Sequence, residues 1–160
     1  MKKNNLPAWK LFVTGFGLGY SPFAPGTMGA IGALVPALLF GHYARFPVLL
    51  LTALALICTI AGAIGSNKVE AEWGKDPPRV VIDEFVGMWI SLIALPKGWL
   101  PLITGFGLFR LFDITKVLGI RKCESLRGGW GVMADDILAG IYTNLLLQII
   151  FRLIPGTLIF

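Results

Sequence analysis

Histidine occurs once in this chain, at position 42, and cysteine only twice, at Cys58 and Cys123. A single imidazole excludes any mechanism that needs one histidine as nucleophile and a second as acid, and His42 reads as a loop residue at a helix end. One cysteine lies in an apolar run and the other in a charged loop, so no disulfide framework is expected. Charge is scarce too: 14% of the 160 residues are charged against 56% hydrophobic, and mean hydropathy is +0.76. Soluble domains carry about 25% charged residues, so the deficit points to lipid surroundings. At this length a single domain, 1–160, is expected.

The little charge present is confined. No acidic residue precedes Glu70, and all nine lie between Glu70 and Asp136. The stretch 109–136, FRLFDITKVLGIRKCESLRGGWGVMADD, holds nine charged side chains between two apolar runs. A second acidic pair, Asp83-Glu84, heads another apolar run. Charges between membrane-grade segments must face water, and clustered carboxylates there can hold a metal. The net charge of +5 does not read as nucleic-acid binding, because its placement fits the positive-inside rule and an anionic lipid surface.

Residues 6–18 are apolar but too short to span, which predicts an interfacial or re-entrant helix with Trp9 at the headgroup level. The start resembles a signal peptide only in its lysines; Pro7 and Lys10 interrupt it and no small-residue cleavage site follows, so it is expected to stay on the mature protein. In GYSPFAPGT (19–27), Pro22, Pro25 and Gly26 forbid a regular helix and Thr27 is predicted as the N-cap of the next one. This segment is either a plain turn or a loop whose amides and hydroxyls help to hold a phosphate at a helix start.

Apolar runs then predict helices over 28–40, 48–65 (continuing toward 73), 80–95, 99–117 and 134–154. The polar stretch 66–79 stops at Pro77-Pro78, and Pro96-Lys97-Gly98 makes a turn. The expected architecture is all-α: a small polytopic membrane bundle of four to five hydrophobic helices plus the N-terminal interfacial helix. Several runs fall short of the roughly 20 residues a hydrocarbon core needs, so tilt, thinning or partial insertion must make up the difference. Gly29, Ala33, Gly62 and Ser66 allow close helix contact, within the chain or between chains.

With the N-terminus inside, 11 of the 14 basic residues fall on the inner side, among them Lys2, Lys3, Lys10 and Lys75, and only Arg45, Lys97 and Arg152 on the outer. All nine acids are inside as well. Residues four apart share a helix face, so Asp136, Gly140, Asn144, Gln148 and Arg152 form one stripe and Asp83, Gly87 and Ser91 another. Exposing either to lipid would leave polar groups unsatisfied, so both are expected to face a common interior, each led by an aspartate. Arg110, Asp113 and Lys116, three apart, add a carboxylate between two cations. Hard oxygen donors without histidine or clustered cysteine favour magnesium or manganese over zinc. The plainer alternative is a salt-bridge network with Arg110–Asp113 as its pair.

GYSPFAPGT (19–27), KDPPRVVIDEFVGMW (75–89), FRLFDITK (109–116) and GGWGVMADDILAG (128–140) together resemble the phosphatidylglycerophosphatase A family of bacterial membrane phosphatases. The four motifs occur in the family's order and cover about residues 15–140. VLGIRK (117–122) departs from the pattern, which has a proline soon after the lysine, and so leaves the local turn open. The resemblance implies magnesium-dependent hydrolysis of phosphatidylglycerophosphate to phosphatidylglycerol and phosphate, at the inner membrane.

On this reading Asp83, Glu84, Asp135 and Asp136 are the predicted magnesium ligands, with Asp113 as a further ligand or general base. One of each adjacent pair is expected to stand behind the other. Arg110 and Lys116 are the predicted phosphate clamp, with Lys75 and Thr27 as further candidates. The nucleophile is either a metal-activated water or an aspartate, Asp83, Asp113 and Asp136 being the catalytic candidates. The active region is expected on the cytoplasmic face of a multi-pass protein, with membrane lipid as its partner and no nucleic acid. The spaced aspartate pattern of CDP-alcohol phosphotransferases does not occur here. A divalent-cation carrier or channel subunit is the alternative reading; it would want acids at mid-membrane.

Overall fold

The computed structural model describes residues 7–43 and 47–153, save the side chains of residues 41–43, 47 and 124. Six α-helices are found among them: α1 (Ala8–Val13), α2 (Pro25–Tyr43), α3 (Pro47–Trp73), α4 (Ile82–Leu92), α5 (Trp99–Thr115) and α6 (Gly129–Leu153). The described residues contain no strand. A short N-terminal helix followed by five longer ones matches the expected architecture. The turn expected over 41–47 is shorter, because α2 runs on to Tyr43, taking His42 into the helix, and α3 starts at Pro47; Lys2, Lys3, Arg45 and the end of the last helix at Ile154 lie outside the described residues, as does the side chain of His42.

Helix boundaries correct the sequence reading at several points. α2 begins at Pro25, so Thr27 is the third residue of the helix and not its N-cap. Proline is pre-organised for the first helical position, and Ala24 just before it has a positive φ of 42° that breaks the chain direction. α6 begins at Gly129, not at 134, because the Asn67 side chain accepts the Gly129 N–H at 2.6 Å and satisfies a donor of its first turn. Asp135 and Asp136 therefore stand nearly two turns inside the helix. The predicted 80–95 segment shrinks to the eleven residues of α4, and α5 stops at Thr115, where Lys116 turns left-handed.

Apolar surface faces outward on all the longer helices but one. Val35 and Leu39 on α2, Leu56, Ile57 and Ile60 on α3, Ile103 and Leu111 on α5, and Leu145 and Ile149 on α6 are all exposed. So much unpartnered apolar surface is foreign to a protein surrounded by water. α3 and α6 are long and apolar enough to cross a membrane. The protein is a membrane protein by these features.

α4 is the exception and the centre. Nine of its eleven residues are buried, and α2, α3, α5 and α6 all pack on it. Trp89 Nε1 donates to the Ala33 carbonyl at 2.9 Å, tying α4 to α2. α4 and α6 cross through two glycines. A Cβ built on Gly140 would stand 2.5 Å from the Gly87 carbonyl oxygen, and one on Gly87 would stand 2.7 Å from the Asp136 carbonyl. Helices without side chains at the crossing approach closely, which dispersion rewards in a lipid setting.

The lower part of the α6 stripe has a structural task. α4 ends within the bundle, and its last carbonyls lack helical partners. Asn144 Nδ2 donates to the Ser91 and Ile93 carbonyls at 3.1 and 2.8 Å. Gln148 Nε2 donates to Ile93 and Ala94 at 3.2 and 3.1 Å. Irregular backbone at membrane depth is tolerated where protein satisfies it. Arg152, the last member of the predicted stripe, is exposed instead. Asn144→Leu keeps the volume and removes the donor, and is expected to destabilise by about 1–3 kcal/mol, read as a lower Tm in detergent.

The N-terminal segment is docked on the bundle. Val13 and Thr14 are fully buried, and the Val13 carbonyl accepts the Val81 N–H at 2.9 Å, just before α4. Lys10 pairs with Glu72 at 2.5 Å and lies over the rings of Trp9 and Trp73.

Candidate active site

The up-and-down chain brings the N-termini of α2, α4 and α6 and the C-termini of α3 and α5 to one end. There Glu84, Asp113 and Asp136 converge from α4, α5 and α6, each buried, with one carboxylate oxygen apiece within 4.8 Å of the others. Arg110 joins two of them. Its Nη1 lies 2.5 Å from Glu84 Oε2 and 2.8 Å from Asp113 Oδ2. Lys116 Nζ lies 3.2 Å from Asp113 Oδ1 and also pairs with Asp135 Oδ2. The plainer network reading, Arg110–Asp113 at i,i+3, is thus present in part, but it does not account for Asp136, which has no ion pair among the described residues.

Lys116 reaches the site because the chain reverses at it. Its φ of 50° and those of Leu118 and Gly119, 54° and 86°, are left-handed. These residues form the local turn that the departure of 117–122 from the family's pattern leaves open in the sequence. Burial alone disfavours the Lys116 ammonium, but the carboxylates of Asp135, Asp113 and Asp136 outweigh it and hold its pKa above the ordinary lysine range.

The structure separates the members of each acidic pair, as their 100° offset requires. Glu84 and Asp136 enter the triplet. Asp83 is half-buried, and its Oδ1 accepts the Glu84 N–H at 2.9 Å. Asp135 pairs with Lys116, leaving its Oδ1 buried without a hydrogen-bond partner. Of the predicted magnesium ligands, then, Glu84 and Asp136 come together with Asp113, and Asp83 and Asp135 flank them. Thr27 is half-buried in the first turn of α2, next to Gly26, and Lys75 is exposed on the connection after α3.

Gly26 is a residue that sequence reasoning did not assign. A Cβ there would collide with the Glu84 carboxylate and stand 3.3 Å from Arg110 Nη1. The first turn of α2 therefore lies against the ion pair, which only glycine permits. The signal was its place in PGT at a helix start. Asn67, which caps α6, gave no signal, since its partner is 62 residues away.

The residues fit a divalent cation. Glu84, Asp113, Asp135 and Asp136 face Arg110 and Lys116, so four carboxylates meet two cations. The excess of two negative charges must be met by protons or by a cation, because buried like charges repel strongly. The donors are all hard oxygens, as magnesium prefers.

A family model described as Phosphatidylglycerophosphatase A matches residues 11–151, a span that encloses every residue of this site. The chain belongs to the phosphatidylglycerophosphatase A family. It is accordingly an enzyme of the phosphatase class. Relatives include phosphatidylglycerophosphatase A of Escherichia coli, 37% identical over 83% of this chain and 77% of the relative. That of Haemophilus influenzae is 40% identical over 82% of each. A Bacteroides thetaiotaomicron protein with the provisional name phosphatidylinositol-3-phosphatase is 49% identical over 87% of this chain and 91% of its own. No solved structure gives a significant match.

Arg110 offers a test of the site. Arg110→Lys keeps the charge but not the rigid guanidinium, whose Nη1 bridges Glu84 and Asp113 while Nε stays free to donate. It is expected to lower kcat/KM by about 100-fold with little change in Tm. Arg110→Ala leaves the buried Glu84 carboxylate without its cation and Asp113 with Lys116 alone, and is expected to lower stability by about 3–5 kcal/mol.

Proposed function

We propose that this protein is a magnesium-dependent phosphatase that hydrolyses phosphatidylglycerophosphate to phosphatidylglycerol and phosphate at the cytoplasmic face of the bacterial inner membrane. The observation that carries the reading is the buried Glu84–Asp113–Asp136 triplet beside Arg110 and Lys116, in a chain of this family. Those three carboxylates would hold the ion, with Asp83 and Asp135 behind them. A bound magnesium would supply positive charge against the phosphoryl oxygens and, where water is the nucleophile, would lower its pKa.

The chain's own residues supply the rest. Arg110 Nε is buried without a partner and is a donor left over for a phosphoryl oxygen, while Lys116 adds a second positive charge. Thr27 and Lys75 are candidates for the outer phosphate oxygens. Asp113, Asp136 and Asp83 are the candidates for taking the proton from water or for attacking phosphorus directly. In either case the bond from phosphorus to the glycerol oxygen breaks and that oxygen gains a proton; after direct attack by an aspartate, water then cleaves the acyl phosphate to free phosphate and restore the carboxylate. Label trapped on an aspartate as a phospho-enzyme would exclude direct attack by water. The cytoplasmic assignment is supported by Lys10, Lys68, Lys75, Arg79, Arg121, Lys122 and Arg127, which belong to segments at the carboxylate end, against Lys97 and Arg152 at the other.

The 49% identical relative favours a second reading of the same chemistry, a phosphatidylinositol 3-phosphate substrate. Both lipids present a phosphate monoester on a polyol that is itself linked to diacylglycerol through a phosphodiester. The deciding experiment measures phosphate release from each lipid by protein in mild detergent, with magnesium and with chelator. Release that needs magnesium and is faster from phosphatidylglycerophosphate supports the proposal. Faster release from the inositol lipid selects the second reading, and no release from either overturns both. Magnesium at about 100 times its Kd is also expected to stabilise the protein by about 2.7 kcal/mol, read as a rise in Tm.

A further inference from the structure

Next to the carboxylate site lies a cavity of about 460 Å³ lined by Thr115, Lys116, Val117, Gly119, Arg121 and Lys122. Three of its six lining residues are cationic and none is acidic. The catalytic reading uses only Lys116 of these, and leaves Arg121 and Lys122 without a task. Both are exposed, on the short helical turn Ile120–Ser125. That turn is held in place from two sides: Ile120 is fully buried, and the Tyr142 hydroxyl donates to the Leu118 carbonyl at 3.1 Å. Val117, which lines it, and Ile114 and Leu118, which adjoin lining residues in the chain, are exposed apolar side chains. A fixed cationic hollow with apolar groups beside it suits an anion that carries hydrocarbon.

We propose that this cavity is a second anion subsite, which takes the phosphodiester of the substrate while the monoester lies in the carboxylate site. The proposal rests on the phosphatase reading above and extends it to the class of headgroup accepted. Lys116 belongs to both places, since it lines the cavity and its ammonium pairs with Asp113 and Asp135. A lysine stem measures about 6 Å from Cα to Nζ, and a three-carbon polyol holds two phosphates about that far apart. One residue can therefore lie alongside both phosphates. Arg121 and Lys122 recognise the diester, and Ile114, Val117 and Leu118 meet the start of the acyl chains. The enzyme would thus select lipids with a diester and a monoester on one polyol, and would disfavour phosphatidic acid, whose monoester has no diester beside it.

The test is the double variant Arg121→Gln/Lys122→Gln, with folding checked by elution profile and Tm. KM for phosphatidylglycerophosphate in zwitterionic detergent micelles is expected to rise about tenfold or more, with kcat within about twofold. Inhibition by inorganic phosphate, which occupies only the monoester place, should keep its constant. An unchanged KM, or equal losses in kcat and in phosphate inhibition, overturns the proposal. A KM penalty that appears only when bulk anionic lipid is added means that the cavity meets neighbouring headgroups, and also overturns it. Binding of a short-chain phosphatidylglycerol, a diester with no monoester, is followed by calorimetry in the same micelles. Wild type should bind it about tenfold more tightly than the variant. This arm does not depend on turnover: lost binding in a protein that releases no phosphate would keep the subsite and reject the phosphatase reading.

Discussion

Asp136→Asn is expected to reduce metal-stimulated phosphate release by about a thousandfold while leaving helical content and elution unchanged. Asp136 is 3% exposed and reaches the triplet from α6, but no cation pairs with it among the described residues. Asparagine keeps its shape and removes its charge. The substitution therefore takes one negative charge from a buried cluster that already has two in excess, and in chelator the Tm should hold or rise. The rise in Tm on adding magnesium should be lost at the same time. Glu84→Gln gives the informative contrast. It removes a partner of Arg110 at 2.5 Å, so it should lower both activity and Tm. Wild-type activity in a folded Asp136→Asn protein would move the metal centre away from this triplet.

Gly140→Ala is expected to lower activity by about 100-fold although its new methyl group would touch no reacting atom. The methyl would stand 2.5 Å from the Gly87 carbonyl oxygen and 3.2 Å from Gly87 Cα, so backbone must move. α4 and α6 would part at their crossing, and they carry Glu84 and Asp136. A displacement of about 1 Å at a catalytic group can remove 100-fold in rate, and overpacking of this kind costs about 1–3 kcal/mol. Gly107→Ala on α5 is the control. A Cβ there meets nothing within 4 Å, and alanine in place of a helical glycine should stabilise by about 0.5–1 kcal/mol. Equal activity and Tm for Gly140→Ala and wild type would show that the close crossing does not set the site.

These two variants mark how far the sequence could be read. That Asp136 faces the interior followed from its position at the head of a polar stripe. That Gly140 brings α6 against Gly87 of α4 did not. The stripe was correctly assigned to the interior as far as Gln148, but its purpose differs along its length. Asp136 joins the carboxylate triplet, Gly140 makes the crossing, and Asn144 and Gln148 bond the carbonyls at the end of α4. Arg152 leaves the stripe altogether. The start of α6 was misjudged because Trp130, Val132 and Met133 follow a glycine pair that reads as loop, and the cap that keeps the helix open to Gly129 comes from Asn67 on another helix.

By itself the sequence determined the class of the protein, since so low a share of charge can be tolerated only where lipid covers the outside. It determined the helical architecture through the length of the apolar runs, and it confined every acid to 70–136. It also named Glu84, Asp113 and Asp136, together with Arg110 and Lys116, which the structure brings to one end of the bundle. Only the tertiary structure decided which of them meet. Adjacent residues on a helix diverge by 100°, so Asp83-Glu84 and Asp135-Asp136 could each send either member inward. The choice fell to Glu84 and Asp136 because α2, α5 and α6 close on α4 at Gly26, Phe109 and Gly140, contacts between segments far apart in the chain that no local pattern records.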